Sequence, residues 1–394
     1  MNHHKLTICL FACIFLGLGS CGTDEETVIE EPKSVLPDYF GDNVDYADLE
    51  NYENQPIPDY IRKDNTNGND ITNSGATLGR VLFYDKNLSI DNSISCASCH
   101  KQALAFGDDQ VISKGVNGFT ARHSMRLVNS RFSNEFSFFW DERAPSLEEQ
   151  ASEPIKDHIE MGYSGLDGNP DFNDLIIKLS NIDYYNELFV KTFGDSVITE
   201  ERIKNTLAQF IRSITSFDSK YDEGMAMVES HRDDFPNFSD QENEGKRLYS
   251  EPIIFGIDGV RSGGFFCIGC HRAPEFDIDP FTQNNGVIGS AVGQDLELNI
   301  TRSPSLRDVV NQNGEVNGPL MHTGGFFTLG GVIDHYETVP LANNPNLDRR
   351  LSNNGEPRDL AITNSEKEAL IAFLNTLTGN NIYTDKKWSD PFIR

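Results

Sequence analysis

The residues best placed to do chemistry form two C-x-x-C-H motifs: Cys96, Cys99 and His100 in SISCASCH, and Cys267, Cys270 and His271 in CIGCH. Two thiols with a two-residue gap and an adjoining imidazole suit three chemistries. They can hold zinc, cycle as a redox dithiol, or attach a haem. In the last case the thiols add across the two vinyl groups and the histidine gives the iron an axial nitrogen. Structural zinc takes its ligand pairs closer in sequence than these, which lie about 170 residues apart. A thioredoxin-like pair sits in a βαβ setting, and none is visible around either motif. The cysteine count points the same way. Of seven cysteines, Cys9 and Cys13 fall in an apolar N-terminal run and Cys21 closes it. The other four are the two motifs, so no pair remains for a disulfide. Two covalently bound c-type haems are the expected cofactors.

The sequence around each motif repeats. LGRVLFYDKNLS precedes the first and EGKRLYSEP the second; CHKQALAFGDD and CHRAPEFDID follow them. Further on, RHSMRLVN parallels RSPSLRDVVN, and WDERAPSLEEQASEP parallels HTGGFFTLGGVIDHY. Leu147 then pairs with Leu329, and a step of seven leads to Pro154 in one half and Tyr336 in the other. If these positions face the irons, the halves differ in chemistry. Proline carries no side-chain donor and leaves its iron open to a small ligand. Tyrosine has an oxygen to give and closes its iron. An open haem does oxygen or peroxide chemistry and a closed one carries electrons. The alternative is that both residues only pack.

The elements that must position these groups read as helices. EERIKNTLAQFIRSITSF has apolar residues at helical spacing. SEKEALIAFLNTLT opens with a Ser-x-x-Glu signal, and TLGGVIDHYETV predicts a short third helix. Long Gly- and Asn-rich stretches join them. The expected fold is mainly α, with long irregular loops.

The first residues read as an export signal: Lys5, an apolar core, and LGSC ending at Cys21. That ending resembles a lipoprotein box with Cys21 as the lipidated residue. The expected organisation is a signal over 1–21, an acidic flexible tether over 22–55, a peroxidatic haem domain over 56–215 and an electron-transfer haem domain over 216–394. The expected location is the periplasmic side of the envelope, lipid-anchored, with Gly22 pointing to the outer membrane. No later stretch is apolar for long enough to cross a bilayer. A net charge of −28 argues against nucleic acid and suits a basic protein partner.

Taken together, LGRVLFYDKNLS…SISCASCH, FFWDERAPSLEEQASEPI…EMG, CIGCH, SPSLRDV and PLMHTGGFFTLGGVIDHY resemble the bacterial di-haem cytochrome c peroxidase / MauG family. The resemblance runs from about Leu78 to the last helix. It implies two cytochrome c-like haem domains related by a pseudo-twofold, a peroxide site at the N-terminal haem, and hydrogen peroxide and a small c-type cytochrome as partners; a homodimer is left open. It makes His100 and His271 the proximal iron ligands, Trp140 the electron bridge between haems, and Gln150 and Glu160 the polar pair over the first haem. Pro154 matches the distal proline of the MauG branch, and Tyr336 falls at the distal ligand position of the second haem. Met321 and His335 rank behind Tyr336 as rival ligands, and His322 belongs near the same haem. Read without the resemblance, Trp140 could be plain core and Gln150 and Glu160 surface residues. A buried Glu160 should have a raised pKa, fit to shuttle a peroxide proton. Two departures stand out. The loop KQALAFGDDQVISKGVNGFTA lacks the histidine that caps the first haem in typical peroxidases, which predicts activity without prior reduction. His123 replaces the family asparagine that binds calcium with the Asn317 and Pro319 carbonyls, which puts calcium in doubt.

Overall fold

Six long helices begin where a short hydroxyl side chain accepts a hydrogen bond from a free backbone amide of the first turn. Thr72 accepts from Gly75, Ser146 from Glu149, Thr199 from Arg202, Ser239 from Glu242, Thr328 from Gly331 and Thr363 from Glu366. In a computed structural model, residues 33–66, 68–133, 137–279, 281–340, 344–353 and 356–393 are described. The α-helices are α1 (Leu36–Phe40), α2 (Asn73–Tyr84), α3 (Cys96–Cys99), α4 (Leu147–Lys156), α5 (Phe172–Ser180), α6 (Asp183–Phe193), α7 (Glu200–Ser213), α8 (Lys220–Met225), α9 (Asp240–Ser250), α10 (Leu329–Glu337) and α11 (Asn364–Asn375). Strands among the described residues are two or three residues long and pair only as antiparallel couples. The fold is mainly helical. The α11 start corrects the sequence reading by two residues: the reciprocal cap is Thr363 with Glu366, not Ser365 with Glu368, because the Thr363 hydroxyl accepts from the Glu366 amide.

Two apolar clusters fill the interior. The first is centred on α2, α4, α5, α6 and α7, the second on α8, α9, α10 and α11. Each is built on a close helix crossing made by a glycine of the repeated sequence. At Gly79 an added Cβ would lie 2.0 Å from the Thr206 carbonyl oxygen and 2.8 Å from Phe210 Cβ. At Gly245 it would lie 1.9 Å from the Ala369 carbonyl oxygen and 2.8 Å from Phe373 Cβ. The same contact, to a carbonyl and to the residue four further on, thus occurs in both α2–α7 and α9–α11. Gly245→Ala must push α9 off α11 and is expected to destabilise the protein by about 1–3 kcal/mol. Urea unfolding checks this, as a lower midpoint at an unchanged slope; an unmoved midpoint would mean the crossing is not tight.

The packed chain begins earlier than the sequence predicts. The tether expected over 22–55 ends by Val35, where the compact unit Val35–Arg394 starts. Leu36, Phe40, Val44 and Tyr52 are buried in the first cluster despite the acids between them, and the Tyr52 hydroxyl donates to the Lys387 carbonyl at 2.5 Å. The C-terminus also crosses the expected boundary. Ile382 and Trp388 pack in the first cluster, and buried Arg80 and Tyr84 donate to the carbonyls of Ser389 and Trp388 at 2.7 Å each. The predicted signal and Cys21 lie outside the described residues. No helix among the described residues is long and apolar enough to cross a membrane.

Candidate active site

Each C-x-x-C-H motif coils into one tight turn, α3 in the first half and a 3-10 turn at Cys267–Gly269 in the second. All four thiols are free. Both histidines use the same nitrogen for support. His100 Nδ1 lies 3.2 Å from the Phe106 carbonyl and His271 Nδ1 lies 2.9 Å from the Pro304 carbonyl. A carbonyl only accepts, so each Nδ1 carries the proton and each Nε2 keeps a lone pair for a metal. Burial lowers both imidazole pKa values, to about 4 for His271. Both rings are therefore neutral, the form that ligates.

The first motif lines a cavity of about 350 Å³, together with Trp140, Gln150, Pro154 and Glu160. Three of these sit on or just after α4. Leu147 and Ala151 are buried, and Pro154 follows at i, i+4, i+7 on the same side of the helix. A proline inside a helix removes an amide donor, here the one that would serve the Gln150 carbonyl, at a cost of about 3 kcal/mol. Such a costly residue on a cavity wall marks function more often than packing. Gln150 Oε1 is buried and has no hydrogen-bond partner among the described residues. Glu160 is carried by a turn in which Asp157 Oδ1 accepts from the Ile159 and Glu160 amides at 2.7 and 2.9 Å. Gly115 lets this turn approach: a Cβ there would lie 2.1 Å from the Ile159 carbonyl and 2.8 Å from Glu160 Cα. The Glu160 carboxyl is pushed up to about 7, first by burial and then by the charge of Asp157, against the pull of Arg143.

The second motif lines a cavity of about 200 Å³, with Tyr336, Met321, His322 and Val332 on its walls. Helix α10 repeats the α4 pattern: Thr328 caps it, Leu329 and Ile333 are buried, and Tyr336 follows at the seventh step. Val332 stands where α4 has Gln150, so the polar side chain of the first cavity has an apolar counterpart in the second. The Tyr336 hydroxyl accepts from Asn285 Nδ2 at 3.2 Å, and the same nitrogen lies 3.3 Å from Met321 Sδ. Burial raises the Tyr336 pKa above its ordinary value. Of the rival ligands, Met321 is on the cavity wall. His335 is outside it, with Nε2 donating to the Asn285 carbonyl at 2.9 Å. His322 Nε2 lies 3.0 Å from the Gly289 carbonyl and 3.3 Å from Glu297.

Trp140 lines both cavities. It is buried, its indole donates to the His123 carbonyl at 2.8 Å, and its ring stands edge-on to His322 at 6.2 Å. His123 Nδ1 donates to the Gln110 carbonyl at 2.8 Å. That ring brings nitrogen where calcium takes oxygen, and no group of three His, Cys, Asp or Glu among the described residues can hold a metal ion. Arg126, Asn285 and Gly115 were not singled out from the sequence. Arg126 offered one signal, a charge in an otherwise apolar stretch, MRLV.

Cavities that each join a C-x-x-C-H turn, a neutral histidine with a free Nε2 and apolar walls fit two c-type haems. Three residues with an orphaned buried polar atom line them, at Gln150 Oε1, Arg126 Nε and Arg358 Nε. These are the features of a di-haem c-type protein. Residues 73–230 match the family model of the di-haem cytochrome c peroxidases. The chain is 28% identical to the methylamine utilization protein MauG of Methylophilus methylotrophus over 79% of its own length and 84% of that protein. It is 27% identical to cytochrome c551 peroxidase of Nitrosomonas europaea over 77% and 80%. The crystal structure of a MauG-like protein associated with microbial copper homeostasis superposes with a TM-score of 0.66 at 26% identity, over 86% of this chain and 99% of that one. The chain is thus similar to the di-haem cytochrome c peroxidase / MauG family, by the family model over residues 73–230 and by relatives 27–28% identical over 77–79% of its length, and this likeness marks it as an oxidoreductase of the haem peroxidase type.

Proposed function

We propose that this protein is a cytochrome c peroxidase that reduces hydrogen peroxide to water in the first cavity. Its electrons come from a small c-type cytochrome by way of the second. The asymmetry of the two cavities carries this reading: Gln150, Pro154 and Glu160 on one, Val332 and Tyr336 at the matching places of the other. In it, 56–215 and 216–394 are two haem domains related by a pseudo-twofold, with the first extended by the segment from Val35 and by the C-terminal residues that cross into it. Cys21 ties the protein by lipid to the periplasmic face of the outer membrane.

Bound c-type haems supply a ligand-binding iron and one-electron redox chemistry. The chain's residues do the rest. Pro154 keeps its wall free of any competing donor, so peroxide has room. Gln150 Oε1 accepts a hydrogen bond from the peroxide O–H and orients it. Glu160, as carboxylate, takes the proton from the near oxygen and returns it to the departing one. With two electrons and two protons, one peroxide gives two waters. Trp140, shared by both walls, is the electron path. Tyr336 closes the second cavity to peroxide.

A MauG-like role, oxidising Trp or Tyr residues of a protein substrate with peroxide, is the second reading, and Tyr336 favours it as an anionic oxygen donor in the second cavity. One experiment separates the two. The resting ferric protein is mixed with stoichiometric hydrogen peroxide and then with reduced cytochrome c, following haem absorbance. The expected result is a high-spin haem that reacts without prior reduction and then turns over the cytochrome. Fast reaction without turnover favours the second reading. Two low-spin haems inert to peroxide would overturn both.

A further inference from the structure

The parallel stretches RHSMRLVN and RSPSLRDVVN carry four arginines, and three have carboxylate partners. Arg122 binds Asp141 and Glu297 at 2.8 and 3.0 Å. Arg302 binds Asp277 at 3.0 Å, and Arg307 binds Asp222 at 2.8 Å. Arg126 has none. Among the described residues its guanidinium makes one hydrogen bond, from Nη2 to the Ser305 carbonyl at 3.1 Å, and Nε is buried and unpaired. The nearest buried acid, Asp308, is turned to the Gly379 amide and the Tyr383 hydroxyl, at 2.8 and 3.1 Å, and makes no ion pair with it. A guanidinium has five donors and does not lose its proton. Arg126 is half-buried, with its Nε shielded from water and Asp308 the only carboxylate acting on it, from a distance. Holding a guanidinium there without an ion-pair partner is costly, so a chain that keeps one has a partner for it outside the protein.

The location says which. Arg126 is on the walls of both cavities. It is close enough to both His123 and His271 to disfavour their protonation. Arg302, the other arginine on both walls, is already neutralised by Asp277. The groups that belong in these cavities each carry two carboxylates as propionate side chains. The planar fork of arginine matches a carboxylate edge to edge.

We propose that Arg126 is a shared carboxylate clamp, binding propionates of both haems and supplying the positive charge between them from the chain itself. This rests on the reading of both cavities as haem sites. It also assigns to a side chain the charge that a bound cation would otherwise bring there. By contrast Arg358, whose Nε is likewise orphaned, lines the second cavity alone and serves that haem only.

The test measures the midpoint potential of each haem by spectroelectrochemistry in the purified holoprotein and its variants. A fixed positive charge favours the reduced haem. Arg126→Gln is therefore expected to lower both potentials, by at least tenfold in the reduction equilibrium, or 59 mV for one electron. Both potentials should also become pH-dependent, because a propionate left without its partner takes up a proton on reduction. Arg358→Gln is expected to move the second potential alone. Arg126→Lys keeps the charge and loses the fork, so it should hold both potentials while shifting the haem-propionate bending band in the resonance Raman spectrum. Chelation of calcium from the wild type should change nothing. Unmoved potentials in R126Q, an unmoved propionate band in R126K, or wild-type potentials that collapse on chelation would each overturn the clamp. If R126Q does not fold, R126K and the chelation arm still decide. A wild-type protein that binds fewer than two haems would overturn the haem reading instead.

Discussion

Glu160→Gln is expected to cut peroxide turnover by about 10²- to 10⁴-fold, the usual worth of a positioned acid–base group, with both haems still bound. The side chains are nearly the same size, so the change removes a proton acceptor and little else. The pH profile makes the prediction specific. Burial and the neighbouring charge of Asp157 bring the carboxyl to about 7. The form that takes a proton from peroxide is the carboxylate, so wild-type activity should rise with pH through about 7. The residual activity of E160Q should be flat across that range. Stability should run the other way. A carboxyl whose pKa is raised on folding opposes folding once it must ionise. The wild type should therefore lose stability as pH climbs from the ordinary carboxyl range through 7, and above 7 that loss is complete. E160Q lacks the ionisation, so at pH 8 it should unfold at higher urea than the wild type while being far less active. A variant with full activity, or with the wild-type pH profile, would remove Glu160 from the proton path.

Much of this site was legible because its chemistry is local. The C-x-x-C-H turns need only five consecutive residues, and the step from Leu147 to Pro154 and from Leu329 to Tyr336 needs only one helix. The internal repeat alone paired those two steps, and the structure puts each on one side of a single helix. What the sequence hid is what depends on distant chain. Gly79 and Gly245 stand out as repeat positions, yet only the packed helices show carbonyls at van der Waals limits behind them. The N-terminal segment looked like solvated tether because its acids outnumber its apolar residues. Burial is decided by Leu36, Phe40 and Tyr52 individually, and their partners lie some 150 to 340 residues away, as the Val35 amide bonded to Glu187 and the Tyr52–Lys387 bond illustrate. Arg126 is the extreme case. Its importance is an absence, the lack among the described residues of any carboxylate within ion-pair reach, and no reading of neighbours along the chain can find that.

Tyr336→Phe is expected to change the second haem while leaving the first one's reaction with peroxide intact. Two of the candidate ligands line that cavity, the Tyr336 oxygen and the Met321 sulfur, and one nitrogen, Asn285 Nδ2, lies 3.2 and 3.3 Å from them. Met321 is held at φ 64°, a left-handed conformation that an unbranched side chain adopts at a cost of about 1–3 kcal/mol. Tyr336 instead sits on a regular capped helix and reaches the cavity without strain. The tyrosine has a different obstacle. Burial raises its pKa, so the phenol stays neutral unless a cation faces it. An iron at His271 is such a cation and inverts that preference, as bound metals do for neighbouring acids. Tyrosine should therefore be the ligand in the ferric protein, and its anionic oxygen should hold the second potential low. In Y336F the low-spin EPR signal of that haem should disappear or be replaced by one with sulfur ligation, and its potential should rise, since methionine favours the reduced form. The double variant Y336F/M321L should leave the haem high-spin. If Y336F keeps the wild-type signal and M321L alone abolishes it, the sulfur is the ligand. Tyr336 would then be a second-cavity wall residue whose oxygen serves only Asn285.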